Sequence, residues 1–253
     1  MTKTVFITGA TSGIGQACAE KYASENYNLI VTGRRGKRLL ELKNHLEEKF
    51  SIKVITLCFD VQNKADVFSH INSLTAEWQQ IHILINNAGL ALGREAFDEA
   101  DMDDWETMLQ TNVNGLLYVS RAVLPFMKKT GNGHIINIGS IAGKEVYENG
   151  NVYCASKFAV DALNKSMRID LLKYGIKVTG IHPGAVETEF SVVRFKGNED
   201  KATMAYQGYV PLTAQDIADT IFYCSTLPQH VCINDIVITC LQQAGTYYFF
   251  KTS

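Results

Sequence analysis

In the stretch 140–157, S-I-A-G-K-E-V-Y-E-N-G-N-V-Y-C-A-S-K, a tyrosine and a lysine stand at i and i+4, Tyr153 and Lys157. On a helix that starts after Gly150, both side chains leave one face a turn apart. An ammonium favours the charged form of a neighbouring phenol. The spacing therefore predicts a Tyr153 pKa below the usual ~10, nearer the range of general acid–base work. Ser140 follows the largely apolar run 135–138 and Gly139, so it reads as a residue just outside a buried strand. There its hydroxyl can hydrogen-bond the oxygen that Tyr153 protonates. Tyr–Lys pairs at helical spacing are also common on helices that do no chemistry, and the surrounding chain has to separate the two readings.

The elements that would position these groups alternate regularly. Residues 5–8, 29–32, 54–58, 83–85, 135–138, 178–181 and 236–239 read as strands, and 13–25, 37–50, 64–78, 105–129, 152–174 and 215–227 as helices. Parallel strands need crossovers, so this alternation predicts an α/β fold: one doubly wound Rossmann-type domain over 1–253, with a mostly parallel seven-stranded sheet and helices on both faces. The first strand runs into Thr8-Gly9-Ala10-Thr11-Ser12-Gly13-Ile14-Gly15 directly before a helix. Glycines there allow a tight turn and a close backbone approach to a pyrophosphate, which free N–H groups and the helix dipole would meet. A glycine-rich turn can also serve only packing, but this strand–turn–helix context points to a dinucleotide site.

The end of the second strand, Thr32-Gly33-Arg34-Arg35, lacks the carboxylate that bonds a ribose 2′-hydroxyl. Two guanidinium groups suit a 2′-phosphate instead, so NADP is expected; the alternative for Arg35 is a place at a solvated helix start. Asp60 and Val61 close the third strand, where a carboxylate can bond an adenine amino group and Val61 can pack the ring, or Asp60 can cap the next helix. The fourth strand leads into Asn86-Asn87-Ala88-Gly89. Its amides can tie strands together, and its small residues leave room for a cofactor. Asn112 falls inside the predicted helix 105–129, where Asn is a mediocre helix former and its presence asks for a reason.

The chain has 253 residues, a formal net charge of -2 and interspersed charges with no basic stripe, so a small-molecule partner is expected rather than nucleic acid. No apolar run reaches the ~18 residues of a membrane span, and the N-terminal residues lead into a strand without a signal-peptide pattern, so a cytoplasmic protein without a membrane partner is expected. Six cysteines without a C-x-x-C pair argue against zinc and against a disulfide framework, and no metal site is expected.

Taken together, Gly9-x-x-x-Gly13-x-Gly15, Asn86-Asn87-Ala88-Gly89, Asn112, Ser140 and Tyr153-x-x-x-Lys157 resemble the short-chain dehydrogenase/reductase family over essentially the whole chain. The resemblance implies that Tyr153 is the general acid/base and that Ser140 steadies the substrate oxygen. It implies that Lys157 binds the nicotinamide ribose and lowers the Tyr153 pKa, while Asn112 holds a water linked to Lys157. It places the cofactor on Gly9, Thr11, Ser12, Gly13, Ile14, Gly15, Arg34, Arg35, Asp60, Val61, Asn87, Ala88 and Gly89. It adds the loop from Pro183 and Gly184, where Val186 and Thr188 would contact the carboxamide. It further implies a homotetramer that buries helices 105–129 and 152–174, which carry apolar residues on more than one face.

Within the family, the runs N-N-A-G-L-A-L-G (86–93), D-W-E-T (104–107), G-H-I-I-N-I-G-S (133–140), E-F-S-V-V-R-F-K-G (189–197) and S-T-L-P-Q-H-V-C-I-N (225–234) are similar to bacterial NADP-dependent 3-hydroxy acid dehydrogenases, also described as serine or allo-threonine dehydrogenases. The aromatic run 239–250 departs from that pattern. A mobile substrate loop is expected at 190–208, with Arg194 before Lys196 as the candidate for a substrate carboxylate. Two other functions share many of these residues. A 3-oxoacyl carrier-protein reductase would need a basic docking patch, for which Arg121, Lys128 and Lys129 are the modest candidates. An NADP-sensing regulatory protein would have no use for an intact Ser140, Tyr153 and Lys157.

Overall fold

The computed structural model describes residues 2–252, so Met1 and Ser253, the two ends of the expected domain, lie outside the described residues. Strands β1 (Thr4–Ile7), β2 (Asn28–Gly33), β3 (Val54–Cys58), β4 (Ile81–Asn86), β5 (His134–Ile138) and β6 (Lys177–Pro183) belong to one sheet. Two short strands, β7 (Val186–Glu187) and β8 (Leu212–Thr213), pair separately, and β9 (Asp235–Ile238) returns to the main sheet as its edge. The order is β3-β2-β1-β4-β5-β6-β9, with every pairing parallel. The crossovers carry α1 (Gly13–Ser24), α2 (Gly36–Lys49), α3 (Lys64–Asn72), α4 (Met102–Leu109), α5 (Leu116–Thr130), α6 (Asn151–Leu171), α7 (Glu189–Arg194), α8 (Glu199–Met204) and α9 (Ala214–Thr226).

Two apolar cores, one per sheet face, follow from the period of two along each strand. Val5 and Ile7 of β1 pack with Leu29, Val31, Tyr22, Leu46 and Ile221 on one side, while Phe6 between them packs with Ile30, Leu84, Val67 and Val123 on the other. The strand order reverses between β1 and β4, and in such sheets the crevice at the carboxyl ends of the strands at that switch point takes the ligand. Because the strands are parallel, their carboxyl ends, which carry or lead into the candidate residues, open on that side of the sheet.

Three expectations about elements change. The helix expected over 64–78 stops at Asn72, because Ser73 turns the chain and buried Leu74 anchors it ahead of a turn closed by Trp78 N–H on Thr75 O at 2.9 Å. The expected helix 105–129 starts earlier, at Met102, with Asp101 accepting from Asp103 N–H as its cap, and is interrupted by a π-helical turn at Gln110–Gly115. The segment 190–208, expected as a loop, carries two short helices, α7 and α8, capped by Thr188 and Asn198. Among the described residues, no helix is long and apolar enough to cross a membrane.

Candidate active site

The turn after β1 is built on glycines for two separate reasons. Gly9 has φ +65°, a left-handed conformation costly to residues with a Cβ, and a Cβ on Gly15 would stand 2.3 Å from the Gly9 carbonyl oxygen. Asn87 locks this turn to the end of β4. Its Nδ2 donates to the Thr8 and Gly9 carbonyls at 2.9 and 3.2 Å, while the Thr8 hydroxyl accepts from the N–H groups of Asn87 and Ala88 at 3.0 and 2.9 Å. Asn86 Nδ2 donates to Asn137 Oδ1 at 2.9 Å and Ser120 Oγ at 2.8 Å, tying β4 to β5 and α5. These two amides therefore do the strand-tying expected of them.

Lys157 and Asn112 sit one layer further in, both buried. The π-helical turn brings Asn112 inward: its Oδ1 accepts from Leu90 N–H at 2.8 Å, and its Nδ2 donates to the Leu90 carbonyl at 2.8 Å and to Ser156 Oγ at 3.0 Å. Such turns often mark functional places in helices. Gly115 ends the turn where a Cβ would stand 2.8 Å from Val61, which packs there, buried. A Cβ on Gly89 would stand 3.2 Å from Asn112 Oδ1 and 3.6 Å from Lys157 Nζ, so Gly89 keeps the space between them open. Lys157 Nζ donates to the Ile138 carbonyl at 2.9 Å and lies 6.0 Å from the centre of the Tyr153 ring.

The expected lowering of the Tyr153 pKa is corrected by the structure. Burial pushes the phenol well up, with Tyr147 adding to the rise and contacts with Ser140 and Arg194 opposing it. Burial also pulls Lys157 down to about 8. An i, i+4 spacing brings charge near, but desolvation outweighs it when both groups leave water. Ser140 lies at the end of β5, buried, with its hydroxyl 3.5 Å from the Pro183 carbonyl and accepting from Ala142 N–H at 3.1 Å.

At the β2 end, Arg35 is clasped. Its Nη2 donates to Thr11 Oγ1 and Ser12 Oγ, both at 2.7 Å, and its Nη1 to Glu189 Oε2 at 2.8 Å. Its side chain does not cap α2, although Arg35 occupies the cap position. Arg34 points to solvent, with a 3.4 Å contact to Asp60. Asp60 also accepts from Gln62 N–H at 3.0 Å, and Asn63 rather than Asp60 caps α3. Ser12 makes no side-chain cap on α1, and no acidic residue stands in its first turn. Uncapped N–H groups beside arginines and hydroxyls are a donor set that fits the phosphates of a dinucleotide.

Thr188 caps α7 and rests against Gly13, and Val186 lies in β7. Gln243, unassigned in the sequence, is buried and accepts from Ala185 N–H at 2.8 Å, where a Cβ on Gly184 would collide with it. Arg194, at the end of α7, donates from Nη2 to Tyr147 Oη at 2.8 Å and from Nε to the Gly93 carbonyl at 3.3 Å, with its guanidinium carbon 5.5 Å from the centre of the Tyr153 ring. Lys196 turns away to Asp104 at 2.7 Å. Tyr147, Arg38 and Glu189 were also missed. Arg38 lies one helical turn past Arg34 and Arg35, a spacing that could have flagged it.

A doubly wound sheet with an anion-binding turn at its switch point and a Ser–Tyr–Lys group at its strand ends defines a dinucleotide-dependent type of oxidoreductase site. The short chain dehydrogenase profile matches residues 3–199, and the chain belongs to that family. It is 47% identical over 233 residues to the NADP-dependent 3-hydroxy acid dehydrogenase YdfG of Escherichia coli (strain K12), covering 92% of each chain. It is 42% identical over 249 residues, 98% of each chain, to sulfoacetaldehyde reductase 2 of Chromohalobacter salexigens. Among solved structures, the closed form of serine dehydrogenase complexed with NADP+ superposes with a TM-score of 0.91 at 44% identity, covering 99% of this chain and 100% of that one.

Proposed function

We propose that the protein is an oxidoreductase moving a hydride between NADP(H) and a short 3-hydroxy acid/3-oxo acid pair. The observation that carries the substrate class is the Arg194 guanidinium, held on Tyr147 5.5 Å from the centre of the Tyr153 ring. A substrate carboxylate on that cation would leave its carbonyl or alcohol oxygen at the Tyr153 hydroxyl. The relatives' names, an NADP-dependent 3-hydroxy acid dehydrogenase and a serine dehydrogenase, support the same pairing.

NADPH, when bound, supplies the hydride. The turn from Gly9 through Thr11, Ser12, Gly13, Ile14 and Gly15 would hold the pyrophosphate, Arg34 and Arg35 the 2′-phosphate, and Asp60 and Val61 the adenine. Asn87, Ala88 and Gly89 would form the floor, and Pro183, Gly184, Val186 and Thr188 the nicotinamide end. Tyr153, which burial keeps as a neutral phenol, gives its proton to the oxygen that becomes the alcohol, and Ser140 hydrogen-bonds that oxygen. Lys157 holds the ribose end and, with Asn112, offers the route by which the phenol is reprotonated. In the oxidative direction the path runs in reverse: the Tyr153 phenol first gives up its proton along the Lys157 and Asn112 route, and the phenolate, hydrogen-bonded by Ser140, then takes the alcohol proton.

Cofactor turnover across 3-hydroxy acids, a sulfonated aldehyde, uncharged alcohols of similar size and acyl thioesters tests this reading. Preference for thioesters over free acids would replace it with the carrier-protein reductase. Against that alternative, Lys128 and Lys129 lie at the end of α5 that leads into β5, opposite the strand ends that carry the site. A homotetramer in the cytoplasm, where NADP is used, completes the proposal. Exposed Ile169 and Leu172 on and just after α6, and the groove of Leu117, Tyr118 and Pro125 on α5, are apolar surface that such an assembly would cover. Light scattering of a monomer at micromolar concentration would overturn that part.

A further inference from the structure

The segment that carries Arg194 begins on the cofactor side of the cleft. Glu189, its first helical residue, reaches two arginines at the start of α2: Arg35 Nη1 at 2.8 Å from Oε2, and Arg38 Nη1 at 2.7 and 2.9 Å from the two carboxylate oxygens. Its carboxyl is held below its usual range, chiefly by the hydrogen bond from Arg35 and then by that from Arg38. Arg35 has already given its Nε and Nη2 to Thr11 and Ser12, so its one remaining terminal nitrogen is the one that faces Glu189. The three side chains are between 42% and 46% exposed, which leaves them within reach of a ligand.

Resting on the NADP reading above, we propose that Glu189 sets cofactor affinity and selectivity by competing, as an intramolecular carboxylate, with the 2′-phosphate for Arg35 and Arg38. A phosphate carries more charge than a carboxylate and offers more acceptor oxygens to forked guanidinium groups, so it displaces Glu189 rather than sharing the pair. Two anions on one pair of arginines would repel each other across a few ångströms. A cofactor without the 2′-phosphate has nothing to exchange with Glu189. The carboxylate therefore weakens NADP(H) binding and leaves NAD(H) binding alone, and displacing it releases the cofactor-side tether of the segment that ends on Arg194.

The test is direct binding, measured by calorimetry, of NADP+, NAD+, 2′,5′-ADP and 5′-AMP to the wild type and to Glu189→Gln, which keeps the size and a hydrogen-bond acceptor but removes the charge. Exposed ion pairs are individually weak, so the expected result is a tightening of NADP+ and 2′,5′-ADP by about threefold to tenfold, with NAD+ and 5′-AMP changed less than about twofold. In an Arg38→Met background the Glu189→Gln gain should shrink, because one of the two contested cations is gone. Weaker NADP+ binding in Glu189→Gln would show that the carboxylate positions the arginines for the phosphate and would overturn competition. Equal changes for phosphorylated and unphosphorylated ligands would overturn it as well. A wild type that binds NADP+ no tighter than NAD+ would defeat the cofactor reading itself, a failure distinct from either.

Discussion

The inner and outer parts of the cleft are held by different forces. The inner part, Thr8, Asn87, Asn112, Ser140, Tyr153 and Lys157, is mostly buried, and its polar groups bond largely to backbone carbonyls and N–H groups of neighbouring strands. The outer part is a rim of charges from distant stretches of chain: half-exposed Arg35 and Arg38 on half-exposed Glu189, and half-exposed Lys196 on a largely buried Asp104. Buried hydrogen bonds are costly to leave unmade and indifferent to salt, whereas exposed pairs contribute a few tenths to about 1 kcal/mol and are screened. The inner part is thus pre-organised for chemistry, and the rim can rearrange around ligands at small cost.

The largest effect should come from the inner part. Tyr153→Phe removes the transferable proton and leaves the ring, so turnover should fall by about 10²- to 10⁴-fold while NADPH binding, followed by fluorescence, stays measurable. Near-normal turnover would mean that the proton comes from elsewhere. Arg194→Ala tests the border between the two parts. Its guanidinium is half-buried between Tyr147 and Tyr153, so loss of a charged partner should cost about 2 to 5 kcal/mol in kcat/KM for 3-hydroxy acids and little for an uncharged alcohol. Equal losses for both substrates would reduce Arg194 to a tether of its segment.

The same division explains what was readable before the fold was known. The seven strands are short apolar, mostly β-branched runs between helical stretches, the glycine turn and Ser140 follow two of those runs, and Tyr153 and Lys157 are four apart; β3 has the bounds its run indicates. The spacing of Tyr153 and Lys157 points to a lowered phenol pKa where burial raises it, because spacing reports which charges are near but not how much water is gone. Glu189, Arg38 and Tyr147 were passed over for another reason: their partners lie far away in sequence, and an isolated Glu on a loop looks like surface. The π-helical turn was foreshadowed only by Asn112, a residue that fits an ordinary helix poorly and is buried here with three hydrogen bonds.

A pH experiment sharpens the account of the inner part. Burial holds the Lys157 ammonium at about 8, against 10.5 for the free group. Between those values the unfolded chain binds more proton than the folded one, so stability must rise with pH in that window. The penalty of burying the charge is full below about 8, declines from about 8 to 10.5 and is gone above. Raising the pH from 7 to 9.5 should therefore stabilise the wild type relative to Lys157→Met by roughly 1 to 2 kcal/mol, read as a difference between the two Tm changes. Parallel pH profiles would mean that Lys157 keeps its ordinary pKa and that water reaches it.

The smallest effect belongs to the rim and separates backbone strain from charge. Lys196 has φ +52°, a left-handed conformation that costs a residue with a Cβ roughly 1 kcal/mol, yet its ammonium reaches Asp104. Lys196→Ala keeps the strain and loses the pair, so it should destabilise the protein by a few tenths of a kcal/mol in low salt and by almost nothing in 1 M KCl, where the Debye length is ~3 Å. Lys196→Gly loses the same pair but relieves the strain, so it should be more stable than Lys196→Ala by roughly 1 kcal/mol at either salt concentration. Urea titrations of the two variants at both salt concentrations measure the terms separately. If the two variants were equally stable at both salt concentrations, the ion pair, which neither of them has, would be what holds the wild-type backbone in that conformation. The rim would then impose geometry on the substrate segment instead of yielding to it.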